Sequence, residues 1–332
     1  QVPFVFRHAS RLRFGLDLAL PSVRSVFRNF VPVLLSRGVV QLSAYIDGMI
    51  ASFLGAAAVS GLAYAQTIYL LPIGLFGMSI AAAELPEMSS VGEGRDGHAK
   101  LRARLVSGRK KIAFFVIPSV VGILILGRWV VAALFETGAF GPEDTRYVWY
   151  ILLGSVVGLL AATWGRIYSS AFYALGDTRT PLRFAVIRVV LTAALGVLFA
   201  FPLRTFITIV LVAAGLRLPE LPDAELGMGA FGLTVSAGLA GWVEFLLLES
   251  ALAKKIGSST LPLSYQVKIW VTALAAAAVA LVFLVLPAVH EVPDGFPAEV
   301  LWRFRLASLA TQLALWSATG LAFGALLDHG RR

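Results

Sequence analysis

The sequence predicts an all-α polytopic membrane protein, and three observations support this fold class. The 332 residues are 58% hydrophobic and only 14% charged, whereas a soluble domain carries about 25% charged residues. Mean hydropathy is +0.82. The apolar residues also fall into long segments, each close to the roughly 20 residues that a helix needs to cross a bilayer. We therefore predict eight transmembrane helices.

The order of the spans is counted outward from the turn FYALGDTRTP, Phe172–Pro181. Gly176 has the position just past a helix C-terminus, where a left-handed conformation is favoured by the missing Cβ. Thr180 and Pro181 are predicted to be the N-cap and the first residue of the next helix. Arg179 lies on the same turn, and short loops rich in Lys and Arg stay cytoplasmic. This turn therefore orients the two spans beside it.

The charge pattern between the apolar segments agrees with eight spans. Glu87–Lys111 holds seven Lys and Arg residues and is predicted to be a cytoplasmic loop, whereas Glu136–Arg146 is acidic and is predicted to be periplasmic. The segment Leu203–Leu226 contains an apolar stretch that is too short to span, and we expect it to lie in the interface. Both termini are then cytoplasmic. The predicted spans are Val31–Leu54, Leu62–Leu85, Ile112–Phe135, Tyr147–Ala174, Leu182–Phe201, Gly227–Leu252, Val267–Val289 and Leu306–Leu327.

The domain organisation follows from these spans. Residues 1–30 carry five arginines among apolar residues and are predicted to be a basic cytoplasmic or interfacial segment, with a disordered basic linker as the alternative. Residues 31–255 form a six-span lobe, and residues 256–332 supply two additional transmembrane helices. Since the chain begins at Gln1 without an initiator Met or a signal-peptide pattern, we expect a processed or truncated chain.

Composition also excludes several classes of function. The formal charge of +9 indicates cytoplasmic loops that face anionic membrane lipids rather than a nucleic-acid partner. The chain has no cysteine and therefore no disulfide or thiolate metal site. Its four histidines lie in loops or at helix ends, so we expect neither a metal nor a cofactor. No nucleophile–base constellation is present in the sequence, which predicts that the chain is not an enzyme.

Polar residues inside spans are the candidate site residues, because each is costly in hydrocarbon. Arg166 either lines a cavity that receives an anionic headgroup or forms a structural pair with a carboxylate or carbonyl groups. Arg188 and Arg37 lie near the inner ends of their spans, where snorkelling to the surface is the alternative to a cavity role. Asp47 has either an internal hydrogen-bonding role or an ion-coupling role. Gln41 precedes it by six positions, so the two residues lie about 120° apart around the helix.

Small residues in the fourth span predict close helix packing. Gly154 and Gly158 have the small-xxx-small spacing that lets two helix backbones approach. We expect this face to pack inside one bundle rather than to form a dimer.

The family resemblance rests on four segments: VPVLLSRGVVQLSAYIDGMIASFL, YAQTIYLLPIGLFGMSIAAAELP, LFETGAFGPEDT and FYALGDTRTP. Together they resemble the MviN/MurJ lipid II flippase family of the multidrug/oligosaccharidyl-lipid/polysaccharide exporter superfamily. The resemblance covers Val31 to about Pro202, whereas the last third matches mainly in hydropathy. It implies one six-helix exporter-superfamily lobe plus two additional helices, with an N-terminal six-helix lobe missing.

The resemblance also implies a function and a location. The family flips lipid II, an undecaprenyl-diphosphate-linked saccharide, across the bacterial inner membrane by alternating access. Gln41, Asp47 and Arg166 match positions where the family has Gln, Asp or Asn, and a basic residue. Thr67 stands where the family has a cavity arginine. Its presence implies either that Arg166 and Arg37 bind the headgroup instead or that headgroup binding is lost. Two alternatives remain open: an integral membrane ligase or glycosyltransferase acting on polyprenyl-linked sugars, and a non-transporting membrane scaffold.

Overall fold

The computed structural model is helical between its turns over the residues that it describes, which are 30, 34, 38, 41–91, 94–213, 215, 219, 224–257 and 260–285. Contacts divide the chain into two compact units, Gln1–Leu281 and Val282–Arg332, and the account below concerns the first. Arg37, the eighth predicted span and nearly all of the basic segment 1–30 lie outside the described residues.

The helices are numbered in chain order over the part of the chain that the structure describes. A short π-helical segment, Ile73–Met78, joins α2 to α3 directly after Pro72. The helices are α1 (residues 41–52), α2 (Ala56–Pro72), α3 (Ser79–Ser89), α4 (Arg95–Phe135), α5 (Pro142–Ala174), α6 (Arg179–Ala200), α7 (Arg204–Ala213), α8 (Ala224–Ile256) and α9 (Leu263–Val285).

Five helical segments within the described ranges are long and apolar enough to cross a membrane, which confirms the second to sixth predicted spans. The predicted first and seventh spans correspond to α1 and α9, of which the structure describes 41–52 and Leu263–Val285. The short apolar segment before the sixth span is also helical, as α7. The five are Ala56–Ser89, Asp96–Phe135, Pro142–Ala174, Arg179–Ala200 and Met228–Ile256.

The prediction that Glu87–Lys111 forms a loop is wrong, because Glu87–Ser89 belongs to α3 and Arg95–Lys111 belongs to α4. Helix α4 runs for 41 residues, about 61 Å at 1.5 Å per residue, which is roughly twice the hydrocarbon thickness. Its basic first half contains good helix formers, and Leu101 and Leu105 are fully buried on the face that continues into Ile112. The basic segment is therefore an amphipathic extension of the span.

The turn between α5 and α6 differs from the prediction in one detail. Gly176 has a φ of +71°, as predicted, and the Asp177 N–H donates to the Phe172 carbonyl oxygen at 2.9 Å, which closes the end of α5. Thr180 is not the N-cap, since α6 begins at Arg179. The Asp177 carboxylate accepts hydrogen bonds from the Thr180 N–H at 3.0 Å and from its hydroxyl at 2.8 Å. The aspartate thus replaces the threonine as the capping side chain.

Helix α5 is the centre of the bundle. In the apolar 18-residue stretch of α5, 67% of the residues are buried, compared with 17% in that of α6. The reason is that α8, α4 and the α2–α3 segment all pack against α5. Gly158 meets Gly238 of α8 so closely that a Cβ on Gly158 would lie 2.6 Å from the Gly238 Cα. The small-residue face of the fourth span therefore packs inside the bundle, as predicted.

The spans alternate in direction, so one end of the bundle collects three connections. This end, called the basic end, comprises the described turn residues 90, 91 and 94, the turn 175–178, and Gly257 after α8. Several ion pairs lie at this end, among them Lys111 Nζ at 2.6 Å from Glu84 Oε1 and Lys255 Nζ at 2.5 Å from Asp177 Oδ2. The lysines and arginines of the predicted cytoplasmic loops lie at this end.

Candidate functional site

Five polar side chains from five helices form a group inside the spans, called the mid-span cluster. Its centre is an ion pair between α6 and α8, in which Arg188 Nη1 donates to Glu244 Oε2 at 3.1 Å. The two side chains are 22% and 14% exposed. Arg188 lies nine residues into α6, about 13 Å along the helix. The cluster comprises Asp47, Tyr69, Arg166, Arg188 and Glu244.

Asp47 of α1 extends this ion pair. It lies close enough to Arg188 for the guanidinium charge to act on its carboxyl group. Within the described residues, Asp47 Oδ1 is buried and has no hydrogen-bond partner. An unmade hydrogen bond on a buried polar atom is costly. Arg188 thus faces two carboxylates, one of them with hydrogen-bonding capacity left over.

Tyr69 connects this group to Arg166. The half-buried Tyr69 lies within electrostatic reach of both Arg188 and Arg166. The Arg166 side chain is exposed on α5, eight residues before the helix ends at the basic end. A phenol and two guanidiniums can together donate several hydrogen bonds to an anionic oxygen.

The remaining predicted site residues are placed differently. Gln41 is exposed on α1, and its six-residue separation from Asp47 directs the two side chains to different faces. The Thr67 hydroxyl donates to the carbonyl oxygen of Ala63 at 3.0 Å, so it serves its own helix. Arg37 lies outside the described residues. The structure therefore brings together Asp47, Arg166 and Arg188, and it adds Glu244 and Tyr69.

A second polar group lies nearer the basic end and is called the Arg109 network. Arg109 of α4 has a side chain that is only 4% exposed. Its Nη1 donates to Glu249 Oε1 of α8 at 2.5 Å and to the Tyr168 hydroxyl of α5 at 2.7 Å. The guanidinium also lies 4.6 Å from the Trp164 ring centre and 5.4 Å from that of Phe245. Hydrogen bonds and cation–π contacts thus surround this charge.

Sequence reasoning missed this network because it assigned Arg109 to a solvated basic loop. The signal was the helical phase of the two charges. Arg109 follows Leu105 by four residues, and Glu249 follows Phe245 by four residues. Both charges are therefore on the buried stripe of their helix.

The turn residue Asp177 has its own electrostatic environment, outside the spans. Burial acts to raise the pKa of its carboxyl group, but the hydrogen bond and charge of Lys255 and the two hydrogen bonds from Thr180 outweigh burial. The pKa of Asp177 is therefore held below its ordinary value.

This architecture, apolar helices around a group of charged side chains, defines a polytopic membrane protein with a candidate polar site inside its spans. Residues 1–216 match the family model described as Lipid II flippase MurJ. The chain therefore belongs to the lipid II flippase MurJ family. Residues 145–328 also match the model described as Probable cobalt transporter subunit (CbtA). The assignment follows the first model, because the relatives below agree with it.

Similar proteins carry the same description. The chain is 30% identical over 202 residues to the probable lipid II flippase MurJ of Vibrio cholerae, which covers 60% of this chain and 38% of that protein. It is 30% identical over 243 residues to the probable lipid II flippase MurJ of Rhizobium meliloti, which covers 73% of this chain and 40% of that protein. The chain thus spans about two fifths of the length of these curated relatives.

A solved structure shares the fold. The structure described as lipid II flippase MurJ in an inward closed conformation matches 82% of this chain and 50% of its own, with a TM-score of 0.61 and 24% identity. At this identity the likeness shows the fold alone. The all-helical membrane fold that the sequence predicts thus has a solved counterpart.

Proposed function

We propose that this chain is the C-terminal lobe of a lipid II flippase, together with the two additional helices, and that it forms one wall of the transport cavity. The observation that carries the proposal is the mid-span cluster, which places Arg188 and Arg166 inside spans where a charge is costly. A diphosphate-linked saccharide needs cationic donors in a water-filled cavity, and the planar guanidinium suits phosphate. Family membership supports lipid II as the substrate.

The proposed roles in the cluster follow from its geometry. Arg166, which is exposed, binds the diphosphate of the undecaprenyl-linked saccharide, and Arg188 acts beside it while Glu244 holds its guanidinium. Asp47, whose Oδ1 has no hydrogen-bond partner within the described residues, accepts hydrogen bonds from the headgroup or from water. Gln41 and Arg37 belong to the same predicted wall. Thr67 occupies the position of the family's cavity arginine. Arg166 and Arg188 thus take over the headgroup binding that this arginine would provide.

A first six-helix lobe is the proposed partner. A cavity in repeat-built transporters forms between two lobes, and one lobe supplies one wall. The chain spans about two fifths of its relatives' length, which leaves room in those proteins for the opposing wall. Alternating access then moves one lobe against the other around the bound headgroup.

The experiment is complementation of a bacterium whose own flippase is depleted. We expect the chain alone to leave growth arrested, and the chain co-expressed with a matched first lobe from a relative to restore growth and lipid II transport. Full rescue by the chain alone would show that the two-wall account is wrong. If the pair folds and inserts but fails to rescue, the flippase function itself is contradicted.

The proposed location is the bacterial inner membrane, with the basic end on the cytoplasmic side against anionic lipids. The Lys and Arg residues collected there support this orientation. Cysteine labelling is a clean test, because the chain has no native cysteine. An impermeant reagent applied from outside should label Thr137→Cys and should not label Ser107→Cys. The reverse pattern would invert the topology.

A further inference from the structure

The Arg109 network joins three helices at a single charge. Arg109 comes from α4, Tyr168 from α5 and Glu249 from α8, and the Tyr168 hydroxyl also lies 3.2 Å from Glu249 Oε1. The Trp164 indole N–H of α5 donates to the Arg109 carbonyl oxygen at 3.4 Å. Each helix of the three is thus bound to both of the others.

The network lies close to the mid-span cluster but on different faces of the same helices. On α8, Glu244 precedes Glu249 by five residues, which is about 7.5 Å along the axis and about 140° around it. On α5, Arg166 precedes Tyr168 by two residues, about 160° away around the helix. Any rotation of α5 or α8 about its own axis would therefore move Arg166 or Glu244 away from the cluster.

The crossing of α5 and α8 joins these two helices to each other but does not include α4. Gly158 and Gly238 meet there backbone to backbone, and the Trp164 and Tyr168 rings of α5 each lie 5.4 Å from the Phe245 ring of α8. Thr234 and Trp242 donate to α5 carbonyl oxygens near this crossing, but these bonds do not involve α4. The ion pair between Arg109 and Glu249 ties α8 to α4 as well.

We propose that Arg109 is a positioning residue: its network sets the rotation of α5 and α8, holds Glu244 against Arg188, and makes α4, α5 and α8 move as one rigid body. The role of the cluster in headgroup binding rests on the proposed function, but the rigid body does not. Arg109 acts through α8 and, among its described contacts, does not touch α6, so its effect on the cluster is indirect.

The experiment measures distances in the full chain in lipid nanodiscs by double electron–electron resonance. One pair of spin labels, at Ser107→Cys and Ser250→Cys, reports α4 against α8, and a second pair, at Val190→Cys and Val243→Cys, reports α6 against α8 beside the cluster. All four positions are exposed. We expect narrow distributions in the parent chain.

In Arg109→Gln we expect both distance distributions to widen at least twofold, including the α6–α8 pair that Arg109 does not touch. Arg109→Lys should give intermediate widths, because the charge remains but the planar fork is lost. The control is Arg104→Gln, on the same helix, whose 48% exposed side chain pairs with Glu87; both widths should stay as in the parent. A purely structural role would lower thermal stability while leaving the α6–α8 distance of the folded protein unchanged.

An unchanged α6–α8 width in folded Arg109→Gln would overturn the proposal. If that variant does not fold, Glu249→Gln is measured in its place, with the same expected widening and the same contradicting result. Neither distance requires lipid II. If complementation fails but both distance distributions widen in Arg109→Gln as expected, the flippase function is contradicted and the positioning role of Arg109 is not.

Discussion

The Arg109 network and the mid-span cluster are built on the same chemistry, an arginine–glutamate pair between two helices, but they differ in how completely the charges are surrounded. Arg109 is 4% exposed and has a tyrosine hydroxyl, a glutamate and aromatic rings around it. Arg188 is 22% exposed, and the nearby Asp47 Oδ1 has no hydrogen-bond partner within the described residues. The nearly inaccessible guanidinium of Arg109 leaves no room for a ligand, whereas the partly exposed guanidinium of Arg188 does.

This difference separates a structural charge from a functional one. A buried ion pair whose partners are all protein groups costs much to break and contributes to one defined packing. A partly exposed pair with hydrogen-bonding capacity left over contributes less to stability, but it can exchange partners with a substrate. We therefore propose a packing and positioning role for the Arg109 network, and a binding role for the mid-span cluster.

The largest expected effect is the loss of folding stability when Arg109 is replaced, compared with the loss when Arg188 is replaced. Arg109→Ala should lower the free energy of unfolding by about 3–5 kcal/mol, because it removes a 4% exposed guanidinium and leaves the half-buried Glu249 without its charge partner. Arg188→Ala should lower it by only about 1–3 kcal/mol, the cost of one unmade charged hydrogen bond. Denaturant unfolding in detergent measures both. Equal losses would abolish the distinction between the two groups.

A smaller effect than that of Arg109→Ala should follow at the crossing of α5 and α8. Gly238→Ala should destabilise by about 1–3 kcal/mol through overpacking, because its Cβ would lie 2.8 Å from the Gly158 backbone nitrogen. Gly241→Ala is the matched control, three residues further along α8, where a Cβ meets nothing within 4 Å. It should leave stability unchanged or raise it by up to about 1 kcal/mol. If Gly241→Ala lowers stability as much as Gly238→Ala does, the close approach of the α5 and α8 backbones at Gly238 is contradicted.

The smallest effect concerns the turn that closes the basic end. The pKa of Asp177 is lower in the folded protein than its ordinary value, which is about 3.9 in the unfolded chain. Its stabilising contribution is thus fully present above pH ~3.9 and is lost as the pH falls through the folded pKa. Asp177→Asn should flatten the acid side of the stability profile. A steeper acid loss in the variant would reverse the assigned sign.

Much of the fold could be predicted from the sequence, because membrane spans are set by length and apolar content. The second to sixth spans, the left-handed Gly176 and the packing of Gly154 and Gly158 were all predicted. The prediction of a basic loop was wrong for a physical reason. The density of charge there suggests a solvated coil, but Leu101 and Leu105 repeat at helical spacing. Periodicity carried the better signal there.

The site could be predicted only in part. Arg166, Arg188 and Asp47 stood out because charges inside spans are rare, and the structure groups all three. Which carboxylate pairs with Arg188 could not be predicted, because Glu244 is 56 residues away in the chain and only the packing of α6 on α8 brings it close. Tyr69 carries no charge and gave no signal against the apolar background.

Lipid II binding by Arg166 variants tests the central claim most directly. In the chain paired with a first lobe, Arg166→Ala should weaken binding at least tenfold, since a charged hydrogen bond contributes about 1.5–3 kcal/mol and each 1.4 kcal/mol is a factor of ten. Arg166→Lys should retain part of the affinity. Expression and thermal stability, measured on the same samples, should stay at the parent level. Parent-like lipid II binding by folded Arg166→Ala would contradict the assignment of the mid-span cluster to the headgroup.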